Sequence, residues 1–349
     1  MKFETVTLYF NRHCPRRCPQ CDIADGSRDP MDGESWKKII RILQKCFDVK
    51  FFLFLGVEPL LMKEHLVEIV KWFTKHDIFY AFYTTSPEPL FTRYRQKLVD
   101  AGLNNWSSGI DGLPGEVEMD KENYKKAVQS LIGLRWMNER GVHTHTNTTI
   151  HKGNLHHIIP LFEYLQKEIP GCQSSANFIE WDREGTFDFF APKWKMKEMM
   201  WDNTPEEKEE VRDVMAQIDK LSRVHGMRIQ MPDSYLREAP VQYNKLTKHC
   251  GGVIGLAVDA DGALRLCGYN IGERSPKWNI FQLEDKEMLK RFEEDWIKDL
   301  NDCSGCFWIC QDMQEPENIP ILDHKSGYYE KRWSMSPEQY ELERTKIDG

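Results

Sequence analysis

The sequence lacks the features that would place the protein in a membrane or on nucleic acid. No stretch approaches the roughly 18 to 20 apolar residues that a membrane-spanning helix needs, and Met1–Glu4 has no apolar core of a secretion signal. Basic residues are not in excess, since 47 Lys and Arg stand against 55 Asp and Glu, for a net charge of −8. The sequence therefore predicts a cytoplasmic protein with no nucleic-acid and no membrane partner.

A disulfide framework is also disfavoured, although the chain has ten cysteines. Cys14, Cys18 and Cys21 fall within eight residues. Pairs at this spacing would be strained, and the third thiol would have no partner. Three thiolates on one loop instead form a metal-ligand set. The loop could hold zinc or an iron–sulfur cluster, and because no histidine follows at finger spacing, one coordination position would stay open.

Strand-like and helix-like segments alternate along the first half of the 349-residue chain. Strands are predicted at 5–10, 51–55, 78–83, 105–111, 143–150 and 174–180, and helices at 36–47, 63–75, 93–101, 121–139 and 155–168. Six such repeats predict an α/β fold with a parallel, right-handed wound sheet, most simply a partial (β/α)6 barrel of the TIM type.

Polar residues follow the predicted strands where a barrel gathers its chemistry, at the carboxyl edge of the sheet. The cysteine loop follows the first strand, Glu58 the second, Thr84–Ser86 the third and Asp111 the fourth, while 147–149 and 177–180 lie toward the ends of the last two. Each residue alone could be an ordinary polar strand end. Their common position beside three cysteines predicts a single site.

Cys14-x3-Cys18-x2-Cys21 after one strand and Gly56-Val57-Glu58-Pro59 after the next resemble the radical S-adenosylmethionine (radical SAM) superfamily, over about residues 5–185. The resemblance implies a [4Fe–4S] cluster on the three cysteines, with the open iron chelated by the amino and carboxylate groups of SAM. A reductant such as flavodoxin or ferredoxin would supply the electron. The reduced cluster would cleave SAM to a 5′-deoxyadenosyl radical, which takes a hydrogen atom from the substrate.

The same resemblance implies roles around SAM. The amino group would be received by Gly56, Val57, Glu58 and Pro59, the ribose would lie near Thr84, Thr85 and Ser86, and the adenine near Asn147 and Thr149. Because they close barrel strands, Asp111 and Glu180 are candidates for polar contacts to substrate or SAM. Two residues depart from the family pattern: Val57 replaces the second glycine, and Gln20 replaces the aromatic residue usual before the third cysteine.

A second group of cysteines surrounds a predicted hairpin. Segments 253–258 and 263–266 flank the turn Asp259-Ala260-Asp261-Gly262, which would bring Cys250 and Cys267 together. With Cys303 and Cys306 they resemble the auxiliary-cluster modules called SPASM and twitch domains, which implies a second [4Fe–4S] cluster. A four-cysteine zinc cage is the alternative. Cys310 is left over as a buried thiol, an alternative ligand or a hydrogen-atom donor, whereas Cys46 and Cys172 are predicted to lie in the core.

The predicted domain order is a radical SAM barrel over 1–235, with a lid or connector from about residue 181, an auxiliary-cluster domain over 236–320 and a charged tail over 321–349. The aromatic and methionine-rich segment 181–201 would pack on the barrel or cover the substrate and exclude water. Thr204-Pro205-Glu206-Glu207 is a capping box that predicts a helix start, and 227–231 predicts one more strand.

These features predict an enzyme that oxidises, epimerises or cross-links a peptide or a small natural product. The auxiliary cluster would carry electrons or anchor the substrate. One alternative is a step in the biosynthesis of a cofactor or a sugar-type metabolite. Another, from a different class, is a non-catalytic iron–sulfur or zinc protein that acts as a scaffold or carrier.

Overall fold

The structure is a computed structural model. It describes residues 2–3, 5–18, 21, 29–55, 57–115, 119, 121–179, 199, 201–202, 204–231, 256–265, 277–301 and 336–339. Within these residues, no helix combines the length and the apolar character needed to cross a membrane.

One eight-stranded sheet organises the fold. Its strands are β1 (Thr5–Leu8), β2 (Phe51–Phe54), β3 (Phe79–Thr84), β4 (Asn105–Gly109), β5 (His143–Ile150), β6 (Gln173–Phe178), β7 (Ala257–Val258) and β8 (Leu264–Arg265). They lie in the order β6-β5-β4-β3-β2-β1-β7-β8. Strands β1 to β6 are parallel to their neighbours, and among the described residues the two outer strands do not pair with each other. The predicted α/β fold with an open, partial barrel is therefore confirmed.

Helices connect the parallel strands, as in βαβ units. They are α1 (Gly33–Phe47), α2 (Glu64–Lys75), α3 (Leu90–Asp100), α4 (Lys121–Asn138), α5 (Ile158–Glu168), α6 (Pro205–Arg223) and α7 (Lys286–Asn301). Short 3-10 helices cover Pro59–Met62, Leu155–His157 and Ile280–Glu284. Helices α1 to α5 each follow the strand of the same number, so the carboxyl ends of these strands meet at one edge.

Helix α1 shows how local sequence sets these elements. The Asp32 side chain accepts a hydrogen bond from the backbone N–H of Ser35 (2.7 Å) and caps the helix start. Asp48 ends the helix in the left-handed conformation (φ 56°). Between them the predicted apolar face is buried, and Trp36 packs edge-on against Phe10, with ring centroids 4.7 Å apart.

The hairpin of β7 and β8 extends the barrel sheet, since β7 pairs in parallel with β1. A buried ion pair holds this contact. Arg12 donates from Nε and Nη2 to the two carboxylate oxygens of Asp259 (2.9 and 2.7 Å), and Arg265 Nε donates to the same carboxylate (2.9 Å). Trp296 of α7 also packs on Phe3, with ring centroids 4.8 Å apart. The described part of segment 236–320 thus shares the sheet and core of the barrel.

Two predicted elements need correction. The strand predicted over 227–231 is reduced to a single parallel bridge between Ile229 and Ser174. The helix predicted over 155–168 begins as a 3-10 turn, and α5 starts only at Ile158. The reason is Pro160, which has no N–H to donate to a carbonyl four residues earlier and therefore fits only in the first turn of a helix. The predicted capping box of Thr204 and Glu207 is confirmed.

Candidate functional site

The cysteine loop leaves the carboxyl end of β1 and is fixed by its own backbone. Cys14, Cys18 and Cys21 are free thiols, and all three are partly buried. The N–H of Cys21 donates to the carbonyl of Cys18 (3.1 Å), and the N–H of Arg16 donates to the sulfur of Cys14 (3.4 Å). Asn11 ties the start of the loop to the turn after β2 by donating from Nδ2 to the Glu58 carbonyl (3.0 Å).

The three thiols fit an iron–sulfur cluster by their chemistry. Burial raises the pKa of Cys14 to about 12, and the negative charges of Glu58, Cys21 and Cys18 act in the same direction. Three thiolates would therefore repel one another here unless positively charged iron compensated them. No group of three His, Cys, Asp or Glu among the described residues is arranged to hold a metal ion. The fit thus rests on the donor set of one loop rather than on a preformed coordination geometry.

Glu58 lies in the turn after β2 and clamps this turn to the end of β3. Its Oε1 accepts from the Leu60 N–H (3.1 Å) and the Thr84 hydroxyl (2.6 Å), and its Oε2 accepts from the N–H and the hydroxyl of Thr85 (both 2.9 Å). The side chain is fully buried, and burial raises its pKa although these hydrogen bonds oppose the rise. The roughly four acceptor positions of a carboxylate are therefore used within the protein.

The backbone conformation is defined around Glu58 and at the end of β3. Pro59 opens the 3-10 helix Pro59–Met62, Val57 is partly buried, and Ser86 adopts the left-handed conformation (φ 48°) while its N–H donates to the Thr84 hydroxyl (3.0 Å). The predicted contacts of Val57, Glu58, Pro59 and Thr84–Ser86 with SAM stay predictions. For Glu58 to bind the amino group through its carboxylate, it would have to give up one of its present hydrogen bonds.

Asp111 follows β4 and forms a buried ion pair that the sequence did not reveal. Its Oδ2 accepts from Lys126 Nζ (2.7 Å), and its Oδ1 accepts from the Thr149 N–H (2.9 Å). Asn154 Nδ2 donates to the Asp111 carbonyl (2.8 Å). Burial alone would raise the pKa of Asp111, but the charge and hydrogen bond of Lys126, together with the Thr149 N–H and His151, outweigh burial and lower that pKa. Lys126 lies in α4 beside Lys125, and nothing in the sequence separates the buried lysine from the exposed one.

Polar side chains on the partly exposed face of β5 form hydrogen bonds with polar side chains of β6. Asn147 Oδ1 accepts from the Ser175 hydroxyl (2.9 Å) and from Asn177 Nδ2 (2.8 Å). His145 Nε2 lies 3.0 Å from the same hydroxyl, and burial lowers the pKa of His145 to about 3, so this imidazole is neutral at physiological pH. The predicted roles of Asn147 and Thr149 near adenine stay predictions.

Several predicted site residues lie outside the described residues: Gln20, Gly56, Glu180, Cys250, Cys267, Cys303, Cys306 and Cys310. Their roles stay predictions. The two cysteines predicted for the core are described. Cys172 is buried, and Cys46 is partly buried against the core with its thiol 3.5 Å from the carbonyl oxygen of Leu283.

Comparison with known proteins identifies a family that resembles the region containing this site. Residues 8–165, which include the cysteine loop, Glu58 and the Asp111–Lys126 pair, match the model of the Radical SAM superfamily. The matched residues, somewhat less than half of the 349-residue chain, are therefore similar to a radical SAM domain. Such a domain implies a [4Fe–4S] cluster and SAM as cofactors. No curated protein matches the sequence significantly.

Solved structures share the fold of this chain at low sequence identity. Streptococcus suis SuiB bound to S-adenosylmethionine superposes with a TM-score of 0.61 at 14% identity, over 83% of this chain and 65% of that one. SuiB bound to the precursor peptide SuiA superposes with a TM-score of 0.61 at 15% identity, over 83% of this chain and 64% of that one. AnSMEcpe with bound AdoMet and the Cp18Cys peptide superposes with a TM-score of 0.57 at 14% identity, over 98% of this chain and 99% of that one. The aligned part of this chain thus spans just under two thirds of SuiB.

Proposed function

We propose that the protein is a radical SAM enzyme that takes a hydrogen atom from an unactivated C–H bond of a peptide. The observation that carries the proposal is the meeting of three thiols and a buried glutamate clamp at one sheet edge, inside the region that matches the superfamily model. The cluster and SAM, when bound, supply the one-electron cleavage that yields a 5′-deoxyadenosyl radical.

The chain's own residues would hold these groups and shape the site. Cys14, Cys18 and Cys21 would bind the cluster. The edge made by β2, β3 and β5 would receive SAM, with Glu58 fixing the turn and Asn147 and Thr149 lining the adenine side. The oxidation, epimerisation or cross-linking that follows would then depend on groups near the radical, and Glu180 and Cys310 remain candidates there.

The peptide class is supported by the neighbours of similar fold. Structures of SuiB with its precursor peptide SuiA and of anSMEcpe with a Cp18Cys peptide both hold a peptide. At their identity to this chain they support a shared scaffold, so the substrate class is a proposal. A reductant of the flavodoxin or ferredoxin class would deliver the electron to the cluster.

We extend the proposal to an auxiliary [4Fe–4S] cluster on Cys250, Cys267, Cys303 and Cys306. The support is the predicted hairpin, whose paired residues Ala257 to Arg265 are antiparallel. Two chain segments that leave such a pair of strands are neighbours in space. Cys250 precedes the hairpin and Cys267 follows it, which is the arrangement that a cluster shared between them would need.

Metal analysis of anaerobically purified protein tests the cluster assignments. The wild-type chain should hold about eight irons and matching sulfide, as two four-iron clusters do. The triple variant Cys14→Ala, Cys18→Ala, Cys21→Ala should hold about four. Replacing Cys46, a thiol on the barrel that takes part in neither site, by alanine should leave the iron content unchanged. Zinc in place of iron in the wild-type protein would exclude the proposed function.

A further inference from the structure

Lys126 is a buried cation to which the proposed function gives no role. Its side chain is only 12% exposed, and that of its partner Asp111 is 6% exposed. Taking both charges out of water is expensive, and such a pair adds little to stability compared with apolar residues of the same size. Charged pairs that persist in a polar site beside candidate ligands are candidates for a functional role.

The backbone makes room for this lysine at the end of β4. A Cβ atom on Gly109 would lie 3.1 Å from Lys126 Cε and 3.2 Å from its Nζ. A side chain at Gly109 would thus crowd the end of the lysine, which would have to shift by a few tenths of an ångström. The ammonium group is held at a fixed position at the carboxyl edge of the sheet.

The cysteine loop packs on the same face of α4. Arg16, which lies between Cys14 and Cys18, donates from Nη2 to Oε1 of Gln129. Gln129 comes three residues after Lys126, and residues at that spacing share a helix face. The loop that carries the thiols is thus tied to the face of α4 from which Lys126 extends.

The electrostatic interactions of Lys126 point to the thiols. Burial alone would lower the pKa of Lys126, but the negative charges of Asp111, Cys18 and Cys21 outweigh burial and raise that pKa. The ammonium therefore interacts electrostatically with Asp111 and with two cysteines of the predicted cluster loop. A cation in this position would stabilise the negative charge that the cluster gains when it is reduced.

We propose that Lys126, positioned by Asp111 and Gly109, raises the reduction potential of the cluster on Cys14, Cys18 and Cys21. The inference rests on the proposed function, because it requires a cluster on these cysteines. Reduction moves one electron from the external reductant to the cluster and adds one negative charge to it. A fixed cation nearby stabilises the reduced form more than the oxidised form, and net charge is one of the factors that set cluster potentials.

A redox titration of the reconstituted holoenzyme tests the inference. The cluster of Cys14, Cys18 and Cys21 is followed by electron paramagnetic resonance in a chain whose auxiliary cysteines are intact. In Lys126→Met we expect the ratio of reduced to oxidised cluster at fixed potential to fall about tenfold, a change in midpoint of about 59 mV for one electron. Asp111→Asn should move the midpoint in the opposite direction, since it removes a negative charge and leaves the lysine.

Lys125 offers a matched control. Lys125→Met removes the same charge from the next position of the same helix, but its side chain is 46% exposed and pairs with Glu122. Solvent screens that charge, so the midpoint should stay at the wild-type value. Lys126→Arg keeps the cation and should also stay close to wild type.

The outcomes separate the inference from the proposed function. If the wild-type protein forms no cluster on these cysteines, the proposed function fails. If the cluster forms and Lys126→Met has the wild-type midpoint, the inference alone is overturned. Changes of Lys126→Met and Asp111→Asn in the same direction would also overturn it, since a merely structural disturbance gives that result. Should Lys126→Met lose its iron, Lys126→Gln, which can still donate to Asp111, provides the measurement.

Discussion

Two buried carboxylates at the same sheet edge are held in different ways. Glu58 accepts hydrogen bonds from uncharged donors, two of them hydroxyls, and burial raises its pKa. Asp111 is similarly buried but faces Lys126, and the cation lowers its pKa in spite of burial. Neutral donors thus fix a position without balancing the charge, whereas a cation does both. The β2–β3 end is built as a clamp, and the β4–β5 end is built as an ion pair.

The largest expected effect comes from breaking the ion pair. Asp111→Ala leaves Lys126 buried without its carboxylate and the Thr149 N–H without its acceptor. We expect the free energy of unfolding to fall by about 3–5 kcal/mol. Urea unfolding of the metal-free protein measures this, and metal-free protein avoids contributions from cluster loss.

A double-mutant cycle completes that test. Asp111→Ala combined with Lys126→Met removes both charges, so the double variant should be less destabilised than the two single losses added together. Lys125→Met is the control for losing a lysine from α4, and it should change stability by at most about 0.5 kcal/mol. Additive losses in the cycle would mean that the pair is not coupled.

Glu58→Gln tests the hydrogen bonds at the β2–β3 end and should lower the free energy of unfolding by less than Asp111→Ala does. The amide keeps the shape and one acceptor oxygen, but it turns an N–H donor toward donors of Thr84 or Thr85. We expect a loss of about 1–3 kcal/mol in urea unfolding, the penalty for buried donors left without an acceptor. An unchanged stability would show that the four hydrogen bonds of Glu58 do not hold the strand ends together.

The pH dependence of stability should have opposite signs at the two carboxylates. The pKa of Glu58 is raised in the folded state, so its contribution is complete below its ordinary pKa of 4.5 and is lost as pH rises through the folded value. The pKa of Asp111 is lowered, so its contribution is present above 3.8 and is lost as pH falls below that value.

Unfolding free energies measured across pH check both signs. Glu58→Gln should remove a decline in stability above pH 4.5, and Asp111→Asn should remove a decline below pH 3.8. This is the smallest of the expected effects, at about 1.4 kcal/mol for a tenfold difference in proton affinity between the folded and unfolded states. If both variants flattened the same limb of the curve, the two carboxylates would not differ as described.

The position of Glu58 at the sheet edge can be predicted from the sequence, but its hydrogen bonds to the end of β3 and the ion pair of Asp111 with Lys126 cannot. Glu58 follows the continuous apolar run Phe51–Phe54, and such runs mark buried parallel strands whose ends meet at one edge. The same reasoning predicts Asp111 at that edge. Lys126 belongs to a helix with neighbouring lysines, and only the packing of α4 against the cysteine loop decides which of them is buried.

In the fold, too, features set by local sequence can be predicted, whereas features set by long-range contacts cannot. Periodicity predicts the six parallel strands, and local residues predict the hairpin turn at 259–262. The pairing of β7 with β1 and the burial of Arg12 against Asp259 depend on contacts between residues almost 250 positions apart. The sequence does not mark Arg12 or Asp259 as buried, because a charged residue in a turn or loop is ordinarily solvated.

The formation of 5′-deoxyadenosine from SAM by the iron-loaded protein under dithionite is the direct test of the proposed radical SAM chemistry. The wild-type protein should form it, and Cys18→Ala, in which the auxiliary cysteines are intact, should not. A fully loaded wild-type protein that forms no 5′-deoxyadenosine would contradict this chemistry and favour an iron–sulfur scaffold or carrier.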